Sequence, residues 1–406
     1  MKSQKIIIAG AGIGGLAAAS CLMKAGHRVE IYEQAPQLGE IGAGIQISAN
    51  AMHVMRYIGV GEQIDKIGVR PEAYVFRLHD TGEVIQRFSL SAEHERMHGA
   101  PYTQLHRADL HELLAAKARE FDPNIVRLNK RATKFTQDDK GVTLHFADGT
   151  SATGDVLIGA DGLKSVVRAQ IVGNVPATYT GDVAYRIVVP TERLPPDFME
   201  RVMSVFMGPR GHVVAYYLRT GKLLNFVGLI EIDEISEESW TVKVDWDVIK
   251  KYFAGWHPII EGILDSCDKD QCYQWSLHNR PPIRNWTQGR VTLLGDSAHP
   301  TLPYLAQGAA MAAEDGIILT RALEMRDTIP EALDLYQRNR IDRTAKIVLQ
   351  SSENRKLFHL GSVEAIRAAF ASASRARISS ASSTRTWCLW YQRWTRRAVS
   401  SSQLAT

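Results

Sequence analysis

The chain has 406 residues, of which 45% are hydrophobic and 23% charged, as in a soluble globular enzyme rather than a disordered or fibrous protein. The net charge of +4 indicates no particular partner, because a carboxyl-terminal part without acids more than accounts for it. Four cysteines without a Cys-x-x-Cys pair exclude a disulfide scaffold, and no apolar run reaches transmembrane length. We expect a cytoplasmic protein with no membrane partner.

The first predicted element is a strand over residues 6–8, followed at once by the pattern G-x-G-x-x-G. Each glycine has a physical reason at this turn from strand to helix. Gly10 allows a tight turn, Gly12 lets the backbone approach a pyrophosphate, and Gly15 allows close packing of helix and strand. The alanine-rich helix that follows, over residues 16–24, offers free N–H groups to a phosphate.

A second predicted strand, over residues 28–32, completes a βαβ unit and ends at Glu33. An acid at this distance from Gly15 bonds a ribose 2′-hydroxyl in dinucleotide-binding proteins. The pattern therefore predicts a dinucleotide site, although a glycine-tolerant turn of any α/β protein would look similar. A secretory signal is disfavoured by the interior glycines and by the charged residues from Lys24 onward.

The segment after Glu33 is rich in glycine from 39 to 45, which lets backbone approach a flat ligand or merely makes the loop flexible. An amphipathic helix is predicted over 51–57, and a hairpin over 72–90 turns at Asp80-Thr81-Gly82. A helix to residue 120 then opens near Arg107. The helix dipole favours acids there, so the arginine has a partner or is a neutral surface residue.

Alternating strands are predicted from 126 to 146, with a turn at Asp148-Gly149, and a buried strand over 155–158 ends at Gly159-Ala160-Asp161-Gly162. Period-two alternation from 179 to 230 predicts an antiparallel sheet that carries the substrate. The last buried strand, 291–294, stops at Gly295-Asp296 and leads to a helix over 309–324, with further helices to about residue 370.

The last part of the chain differs in kind, since residues 366–406 contain no Asp or Glu and interleave Trp with Arg. Basic residues among aromatics can bind single-stranded nucleic acid or an acidic membrane surface, so this segment could be an interaction module. A disordered tail or a non-native end of the chain explains the composition more simply. We therefore expect neither a nucleic-acid nor a membrane partner.

Three motifs in this order resemble those of the class A flavoprotein monooxygenases, the aromatic hydroxylases related to para-hydroxybenzoate hydroxylase. The resemblance covers about residues 4–350 and is nearest to the branch of salicylate hydroxylase, 3-hydroxybenzoate 6-hydroxylase and 6-hydroxynicotinate 3-monooxygenase. The motifs are Gly10-Ala11-Gly12-Ile13-Gly14-Gly15 with Glu33, Gly159-Ala160-Asp161-Gly162 with Ser165 and Arg168, and Gly295-Asp296 followed by His299-Pro300.

The resemblance implies an α/β fold with an α+β substrate part. A Rossmann-like FAD-binding domain would be interleaved with an antiparallel-sheet substrate domain, and the carboxyl-terminal region would be helical. The implied FAD-binding parts are 1–70, 100–175 and 280–330; the substrate parts are 71–99 and 176–279; the terminal helices are 331–370 and the basic tail is 371–406.

The resemblance also implies roles for single residues. The first motif would hold the ADP half of FAD, and Arg107 would contact the flavin side or the pyrophosphate. Asp161 would serve both FAD and NAD(P)H, and Asp296 would accept a hydrogen bond from the ribityl chain or from a nearby hydroxyl. The remaining implied FAD contacts are Gly44, Gln307, Gly308 and Ala309. A helix starting at Gly308 suits the negative charge of reduced flavin, although the asparagine that often follows this glycine is replaced by Ala309.

The family reaction is reduction of FAD by NADH or NADPH, capture of O2 as the flavin C4a-hydroperoxide, and attack by an electron-rich phenol. The implied substrate is therefore a phenolic aromatic acid, taken up by a monomer or homodimer. One dinucleotide fingerprint suffices, since NAD(P)H binds transiently. An FAD-dependent oxidoreductase that inserts no oxygen, or an uncoupled NAD(P)H oxidase, remains the alternative.

The strand over residues 212–217 places His212 and Tyr216 on one face, where they could relay the phenol proton. A phenol has a pKa near ~10 and a histidine near ~6.5, so transfer in water would cost about 5 kcal/mol. The site must therefore stabilise the phenolate, or deprotonation must accompany oxygen transfer. A structural role for His212 is the alternative. Further predicted substrate contacts are Gln46, Pro303 and Tyr304.

Two other kinds of site are disfavoured. Asp296, Ser297 and His299 are the residue types of a hydrolase triad, but they lie too close in sequence and no Gly-x-Ser-x-Gly elbow is present. His94 and His98 have the spacing of metal ligands on a helix, yet their charged neighbours favour a solvated face. We therefore predict no metal site.

Overall fold

The computed structural model describes residues 2–39, 43–233 and 242–370, so the predicted tail 371–406 and part of the glycine-rich loop lie outside the described residues. The helices are α1 Ile13–Lys24, α2 Ala49–Ile58, α3 Gly61–Ile67, α4 Ala92–His98, α5 Arg107–Phe121, α6 Val166–Val172, α7 Trp246–Tyr252, α8 Pro258–Ser266, α9 Gly308–Met325 and α10 Ile329–Phe358. The strands of the first half are β1 Lys5–Ala9, β2 Arg28–Tyr32, β3 Gly44–Ile47, β4 Ala73–Leu78, β5 Val84–Ser89, β6 Thr103–His106, β7 Val126–Arg127, β8 Ala132–Gln137, β9 Val142–Phe146, β10 Ser151–Gly154 and β11 Val156–Gly159. Those of the second half are β12 Thr178–Pro190, β13 Met203–Gly208, β14 Gly211–Leu218, β15 Leu223–Glu231, β16 Val242–Lys243, β17 Tyr273–Asn279, β18 Thr287–Gln288 and β19 Val291–Leu293.

A six-stranded sheet in the order β18-β19-β11-β1-β2-β7 forms the first layer. Its pairs are parallel except that of β18 with β19. Ile6, Ile7 and Ile8 of the central strand β1 are fully buried, because α1 packs against this sheet and the three-stranded sheet β10-β9-β8 contributes to the same core. On one face, α1 packs closely on α9, where a Cβ at Gly316 would lie 2.8 Å from the Ala18 Cα. Small residues thus hold the first predicted helix against the helix that follows the last buried strand.

An eight-stranded sheet in the order β16-β17-β12-β15-β14-β13-β4-β5 forms the second layer, antiparallel except for the pair of β13 with β4. Its side chains alternate between two environments, as period-two strands require. Val183, Tyr185 and Ile187 of β12 enter a core with residues of α7 and α8. The intervening Ala184 and Arg186 face the other way, toward the functional cavity described below.

The predicted fold class is confirmed: a mixed α/β architecture in which the parallel-sheet part and the antiparallel-sheet part alternate along the chain. For example, the chain contributes β4 and β5 to the second sheet. It then returns, with β6 and α5, to the part of the fold that contains the first sheet. Predicted helix positions agree closely with the observed ones, for example 51–57 with α2 and 309–324 with α9. Residues 363–370, at the carboxyl end of the described part, are also helical.

Candidate active site

The three fingerprint glycines occupy the geometry that their predicted roles require. Gly10 has a φ of +104°, and a Cβ there would lie 2.3 Å from the Ala160 carbonyl oxygen. A Cβ at Gly15 would lie 2.2 Å from the Gly10 oxygen, so strand and helix touch. A Cβ at Gly12, just before α1, would meet no atom within 4 Å. Open space thus lies in front of the free N–H groups of α1, where a phosphate would bind.

Glu33 is fixed beside this turn. Its carboxylate accepts hydrogen bonds from the backbone N–H groups of Ala11, at 2.8 Å, and Ala35, at 2.9 Å. An ionised carboxylate has about four lone-pair sites, so it can still accept a bond from a ribose hydroxyl. Glu33 also joins β2 to the glycine turn through its bond with Ala11, which the sequence pattern did not indicate.

A single cavity of about 680 Å³ extends from the fingerprint to the eight-stranded sheet. Gly12, Ile13 and Gly14 of the fingerprint line the cavity, and so does the loop after the last buried strand. That loop contributes Gly295, Asp296, Thr301, Leu302, Pro303, Tyr304, Leu305, Ala306, Gly308 and Ala309. The two places predicted to hold the ends of one cofactor therefore lie along the same cavity.

Arg107 and Gly44 also line the cavity. Arg107 is the first residue of α5, and its backbone N–H donates to the Ala43 carbonyl at 2.9 Å. A Cβ at Gly44 would lie 2.3 Å from the Tyr216 hydroxyl oxygen, so the strand and this tyrosine are in close contact. Burial raises the pKa of Asp296, while the nearby cations, Arg107 among them, oppose that shift.

Asp161 lies beside the cavity rather than among its lining residues. Its carboxylate accepts from the Ser165 hydroxyl at 2.5 Å, the Val166 N–H at 2.8 Å and the Ser297 hydroxyl at 3.2 Å. The Arg168 guanidinium donates to backbone carbonyls on both sides of this contact, those of Leu163, Asp296 and Ser297. These hydrogen bonds join the second sequence motif to the third. Asp161 thus helps to hold the loop that carries Asp296.

Gln307 also holds the loop that precedes α9. Its amide donates to the Ser48 hydroxyl at 3.0 Å and accepts from the Asn50 amide at 3.1 Å. Gly308 and Ala309 begin α9 and line the cavity, whereas Gln307 is not one of its lining residues. Ala306, at the preceding turn, has a φ of +51°, so this short segment is held in a left-handed turn.

A buried ionic network supports the same loop from α9 and α10. His299 and the Gly295 N–H both contact one oxygen of Asp315, at 2.6 and 2.9 Å, and Arg340 bonds the other oxygen at 2.6 Å. Arg340 and Arg343 also pair with Glu314. Burial would raise the pKa of Glu314, but the two guanidiniums outweigh it and hold that pKa at about 2. His299 is therefore part of a structural cluster, as expected for a residue that is not in a hydrolase triad.

β14 places His212, Val214 and Tyr216 on the cavity wall, as period two predicts. Tyr217 points to the opposite face, where its hydroxyl donates to the Met199 carbonyl. Burial raises the pKa of Tyr216 and lowers that of His212 well below its ordinary value, the second shift being aided by the neighbouring His359. A neutral imidazole therefore faces the cavity.

The ring partner of His212 is His359, not Tyr216. Four residues of strand separate His212 from Tyr216 by about 13 Å, whereas His212 Nδ1 lies 2.9 Å from His359 Nε2. His359 follows α10 and gave no sequence signal, because it stands at the end of an ordinary helix. His212 and Tyr216 therefore lie on the same cavity wall, but they are too far apart to pass a proton directly to each other.

The other predicted substrate contacts, Gln46, Pro303 and Tyr304, all line the cavity. The Tyr304 hydroxyl donates a very short hydrogen bond to Asp182. Sequence reasoning missed Arg186, whose guanidinium carbon lies 4.7 Å from the centre of the Trp275 ring on the same cavity wall. A signal existed: Arg186 is a charge on the strand Val183-Ala184-Tyr185-Arg186-Ile187, which is otherwise apolar.

His94 and His98 have adjacent rings, 4.4 Å apart, on α4. No residue of α4 is fully buried, but both histidine rings are half-buried, and burial lowers the pKa of each. Among the described residues, no helix is both long and apolar enough to cross a lipid bilayer.

The comparisons with known proteins identify the family. The family model described as an FAD-binding domain matches residues 3–351. The chain belongs to this family. It is 40% identical over 363 residues to 3-hydroxybenzoate 6-hydroxylase of Polaromonas naphthalenivorans, covering 88% of this chain and 89% of that protein. It is 35% identical over 361 residues to 6-hydroxynicotinate 3-monooxygenase of Bordetella bronchiseptica, covering 86% and 91%.

Among solved structures, HpxO of Klebsiella pneumoniae in complex with FAD and uric acid has a TM-score of 0.80 and 28% identity, covering 91% of this chain and 92% of that one. These relatives confirm the predicted class of enzyme, a flavin-dependent aromatic hydroxylase, and FAD as the cofactor of the family. The open space at Gly12 and the continuous cavity fit an elongated dinucleotide.

Proposed function

We propose that this protein hydroxylates a phenolic aromatic acid with O2 and NADH or NADPH, using bound FAD. One observation carries the proposal: a single cavity joins the dinucleotide fingerprint to a sheet face with a neutral histidine and an arginine. Its volume of about 680 Å³ is in the range of small-molecule sites. The free thiols of Cys21, Cys267 and Cys272 fit a reducing compartment such as the cytoplasm, and the oligomeric state, monomer or homodimer, remains a prediction.

The FAD would lie along the cavity with its ADP half at the fingerprint and its ring beside the loop that precedes α9. When bound, it supplies the reduction of O2 by the nicotinamide cosubstrate. The amino end of α9 would stabilise negative charge on the ring, since its first turn contains no acid and its N–H groups face the cavity at Gly308 and Ala309. The residues proposed to contact FAD are Gly10, Gly12, Ile13, Gly14, Gly15, Glu33, Gly44, Arg107, Asp296, Gly308 and Ala309; Asp161 and Gln307 would position the loop.

The phenol would lie against β14, with its hydroxyl at His212. Because Nδ1 of this ring faces His359, Nε2 is the nitrogen available to a ligand in the cavity. The lowered pKa of His212 keeps the ring neutral at pH 7 and able to accept a proton. Since a neutral imidazole alone is too weak a base for a phenol, deprotonation would accompany attack on oxygen. Tyr216, Gln46, Pro303 and Tyr304 would orient the ring.

The acid group of the substrate would pair with Arg186. This guanidinium is half-buried on the cavity wall and stacks on Trp275, so its position is fixed before a ligand binds. An arginine beside an apolar wall favours a planar carboxylate through paired hydrogen bonds. The proposed substrates are therefore hydroxybenzoates, salicylate and hydroxynicotinates.

The test is a product screen with the purified yellow protein. Salicylate, 3-hydroxybenzoate, 4-hydroxybenzoate and 6-hydroxynicotinate are each incubated with NADH or NADPH, and the hydroxylated product is measured by mass in the presence of 18O2. We expect one labelled oxygen atom in the product of at least one acid. NAD(P)H consumption that yields only hydrogen peroxide with all four acids would instead indicate an oxidase, and the proposal would fail.

A further inference from the structure

His212 is the first residue of a hydrogen-bonded chain that leads away from the cavity. Its Nδ1 lies 2.9 Å from His359 Nε2, and His359 Nδ1 lies 3.1 Å from a Glu231 carboxylate oxygen. His212 and His359 are both buried, whereas the Glu231 side chain is 24% exposed and its second oxygen faces Arg210 at the surface. Three side chains from β14, the end of α10 and β15 thus connect the cavity wall with solvent.

The carboxylates fix the direction of every hydrogen bond in this chain. An ionised carboxylate only accepts, so His359 must carry its proton on Nδ1, facing Glu231 and Asp182. In the neutral ring, Nε2 is then an acceptor, and the Nδ1–H group of His212 must donate to it. His212 Nε2 is consequently unprotonated and faces the cavity. The geometry sets a base at the cavity wall.

Burial is the main reason why both rings are neutral. Burial lowers the pKa of His212 and of His359, and for His359 the Arg355 guanidinium adds to that effect while Asp182 and Glu231 oppose it. Arg355 bonds both carboxylates, at 2.9 Å for Asp182 and 3.3 Å for Glu231, and the Tyr304 hydroxyl also donates to Asp182. The groups that face the pair are therefore two acids, one guanidinium and one phenol.

We propose that His212, His359 and Glu231 form a proton relay that carries the phenol proton from the cavity to the surface. This step rests on the proposed function. The phenol O–H bond breaks as His212 Nε2 gains the proton; His212 Nδ1 gives its proton to His359 Nε2; and His359 Nδ1 gives its proton to Glu231, which releases it to water. No electrons leave the relay, and the reverse sequence returns a proton to the product oxygen and restores both tautomers.

Glu231, rather than Asp182, is the exit. Asp182 is fully buried, lies 3.7 Å from His359 Nδ1, and is already bonded by Arg355 and Tyr304. Glu231 is nearer to that nitrogen and partly exposed. Arg355 bonds both carboxylates and so disfavours protonation of either one. Access to water therefore decides the exit, and of the two acids Glu231 is the one that reaches water.

The first test needs no aromatic substrate. Histidines of the FAD-loaded protein are labelled with 15N, and the resonances of His212 and His359 are assigned by loss of signal in His212→Gln and His359→Gln. We expect both rings to be neutral at pH 7 with the proton on Nδ1. A His212 ring protonated on Nε2, or a charged pair at pH 7, would overturn the relay whatever the enzyme hydroxylates.

The second test follows the proton itself. The holoenzyme, reduced with NADH under anaerobic conditions in the presence of 3-hydroxybenzoate, is mixed with O2 in weak buffer containing phenol red, and proton release and the change in flavin absorbance are recorded by stopped flow. We expect His359→Gln and Glu231→Gln to release the proton at least about tenfold more slowly, with an increased solvent isotope effect and with substrate affinity changed by less than about twofold. Imidazole in the buffer should restore the rate of His359→Ala.

His278→Gln is the matched control, because His278 lies on β17 of the same sheet and bonds a backbone carbonyl outside the relay. Proton release should be unchanged in this variant. Release at the unaltered rate in His359→Gln would overturn the relay, and slow release without imidazole rescue would assign His359 a purely structural role. Absence of hydroxylated product in the unaltered protein would overturn the proposed function instead, which the tautomer measurement does not depend on.

Discussion

His212 combines two contacts that define its chemistry. One ring nitrogen is bound by His359, and the other is available to a cavity ligand. The residue is buried in the cavity wall, so its ring cannot rotate freely into solvent. A base held in one orientation is what general base catalysis requires.

Replacement of His212 by Ala should slow product formation by about 100-fold or more, because the proton acceptor is lost. FAD content should stay at one per chain, since His212 lies on the sheet side of the cavity. The measurement is kcat for labelled product together with flavin absorbance. Tyr217→Phe, on the opposite face of the same strand, is the control and should retain activity. Unchanged turnover in His212→Ala would return the residue to a structural role.

Gly12 and Gly15 allow a paired test of the cofactor site. Gly12 has φ and ψ of −71° and 178°, which alanine also adopts, and its Cβ would meet no protein atom. Gly12→Ala should therefore leave the free energy of unfolding of the apoprotein unchanged, yet weaken FAD binding more than about tenfold, or about 1.4 kcal/mol. Gly15→Ala should instead destabilise the protein itself by about 1–3 kcal/mol through overpacking. Urea denaturation and flavin fluorescence titration separate the two effects. Tight FAD binding by Gly12→Ala would contradict the proposed position of the pyrophosphate.

We expect Arg186 to make the enzyme selective for substrates whose ring carries a carboxylate. Arg186→Gln removes the positive charge from the cavity wall, and loss of a charge-assisted contact costs about 1.5–3 kcal/mol. We expect kcat/KM for 3-hydroxybenzoate to fall by about 10-fold to 100-fold. Activity with 3-hydroxybenzyl alcohol, which lacks the charge, is the internal control and should change little. An equal loss for both compounds would assign Arg186 another role.

At the scale of elements, α10 connects the two halves of the site. Its first half carries Arg340 and Arg343, which bind the acids of α9, and its last turns carry Arg355 next to the relay. The helix itself could be predicted from the sequence. Its partners could not, since each ion pair joins residues distant in the chain, and the separation of His212 from His359 is 147 residues.

The difference between local patterns and contacts distant in the chain also explains which other predictions succeeded. The βαβ unit, the hairpin turns and the face of β14 follow from local periodicity and glycine chemistry, so the sequence predicts them well. Arg186 and the loop-holding roles of Asp161 and Gln307 depend on which segments meet in the fold. A family motif marks such residues without saying whether they touch a ligand or hold a loop.

The buried network between α9 and α10 predicts a large effect on stability. Arg340→Met leaves Asp315 and Glu314 buried with less compensation, and we expect the free energy of unfolding to fall by about 3–5 kcal/mol. Arg338→Met is the matched control, because Arg338 lies on the same helix with its side chain 64% exposed and should change stability by less than about 0.5 kcal/mol. Urea denaturation at pH 7 measures both variants. Similar stability of the two would contradict the network.

The pH dependence of stability follows from the pairing of Glu314 with Arg340 and Arg343. Because the pKa of Glu314 in the folded state is about 2, against 4.5 for a free glutamate, its ionisation stabilises the protein at pH values above about 4.5. That contribution is lost as the pH falls toward 2. We expect the slope of unfolding free energy against pH between 4.5 and 2 to be smaller in Glu314→Gln than in the unaltered chain.

At the scale of the whole molecule, one cavity takes its walls from the eight-stranded sheet and from segments that follow strands of the six-stranded sheet, with lining residues between Gly12 and Phe370. A ligand that binds there binds the folded chain and not the unfolded one. FAD at about 1,000 times its Kd should therefore stabilise the protein by about 4 kcal/mol. The rise in melting temperature on adding FAD measures this effect. Gly12→Ala, at the same FAD concentration, should show much less stabilisation.

The order of strands in the first sheet has a consequence for biosynthesis. β1 leaves the ribosome first, but its neighbour β11 follows about 150 residues later, and the strand beside that one ends only at Leu293. The surroundings of the glycine turn after β1 are complete only when most of the polypeptide has been made. The same holds for the cavity wall formed by the loop that precedes α9. We expect ribosome-bound intermediates to remain colourless, with the yellow prosthetic group captured only after release, so that flavin supply in the cell governs how many finished chains become active.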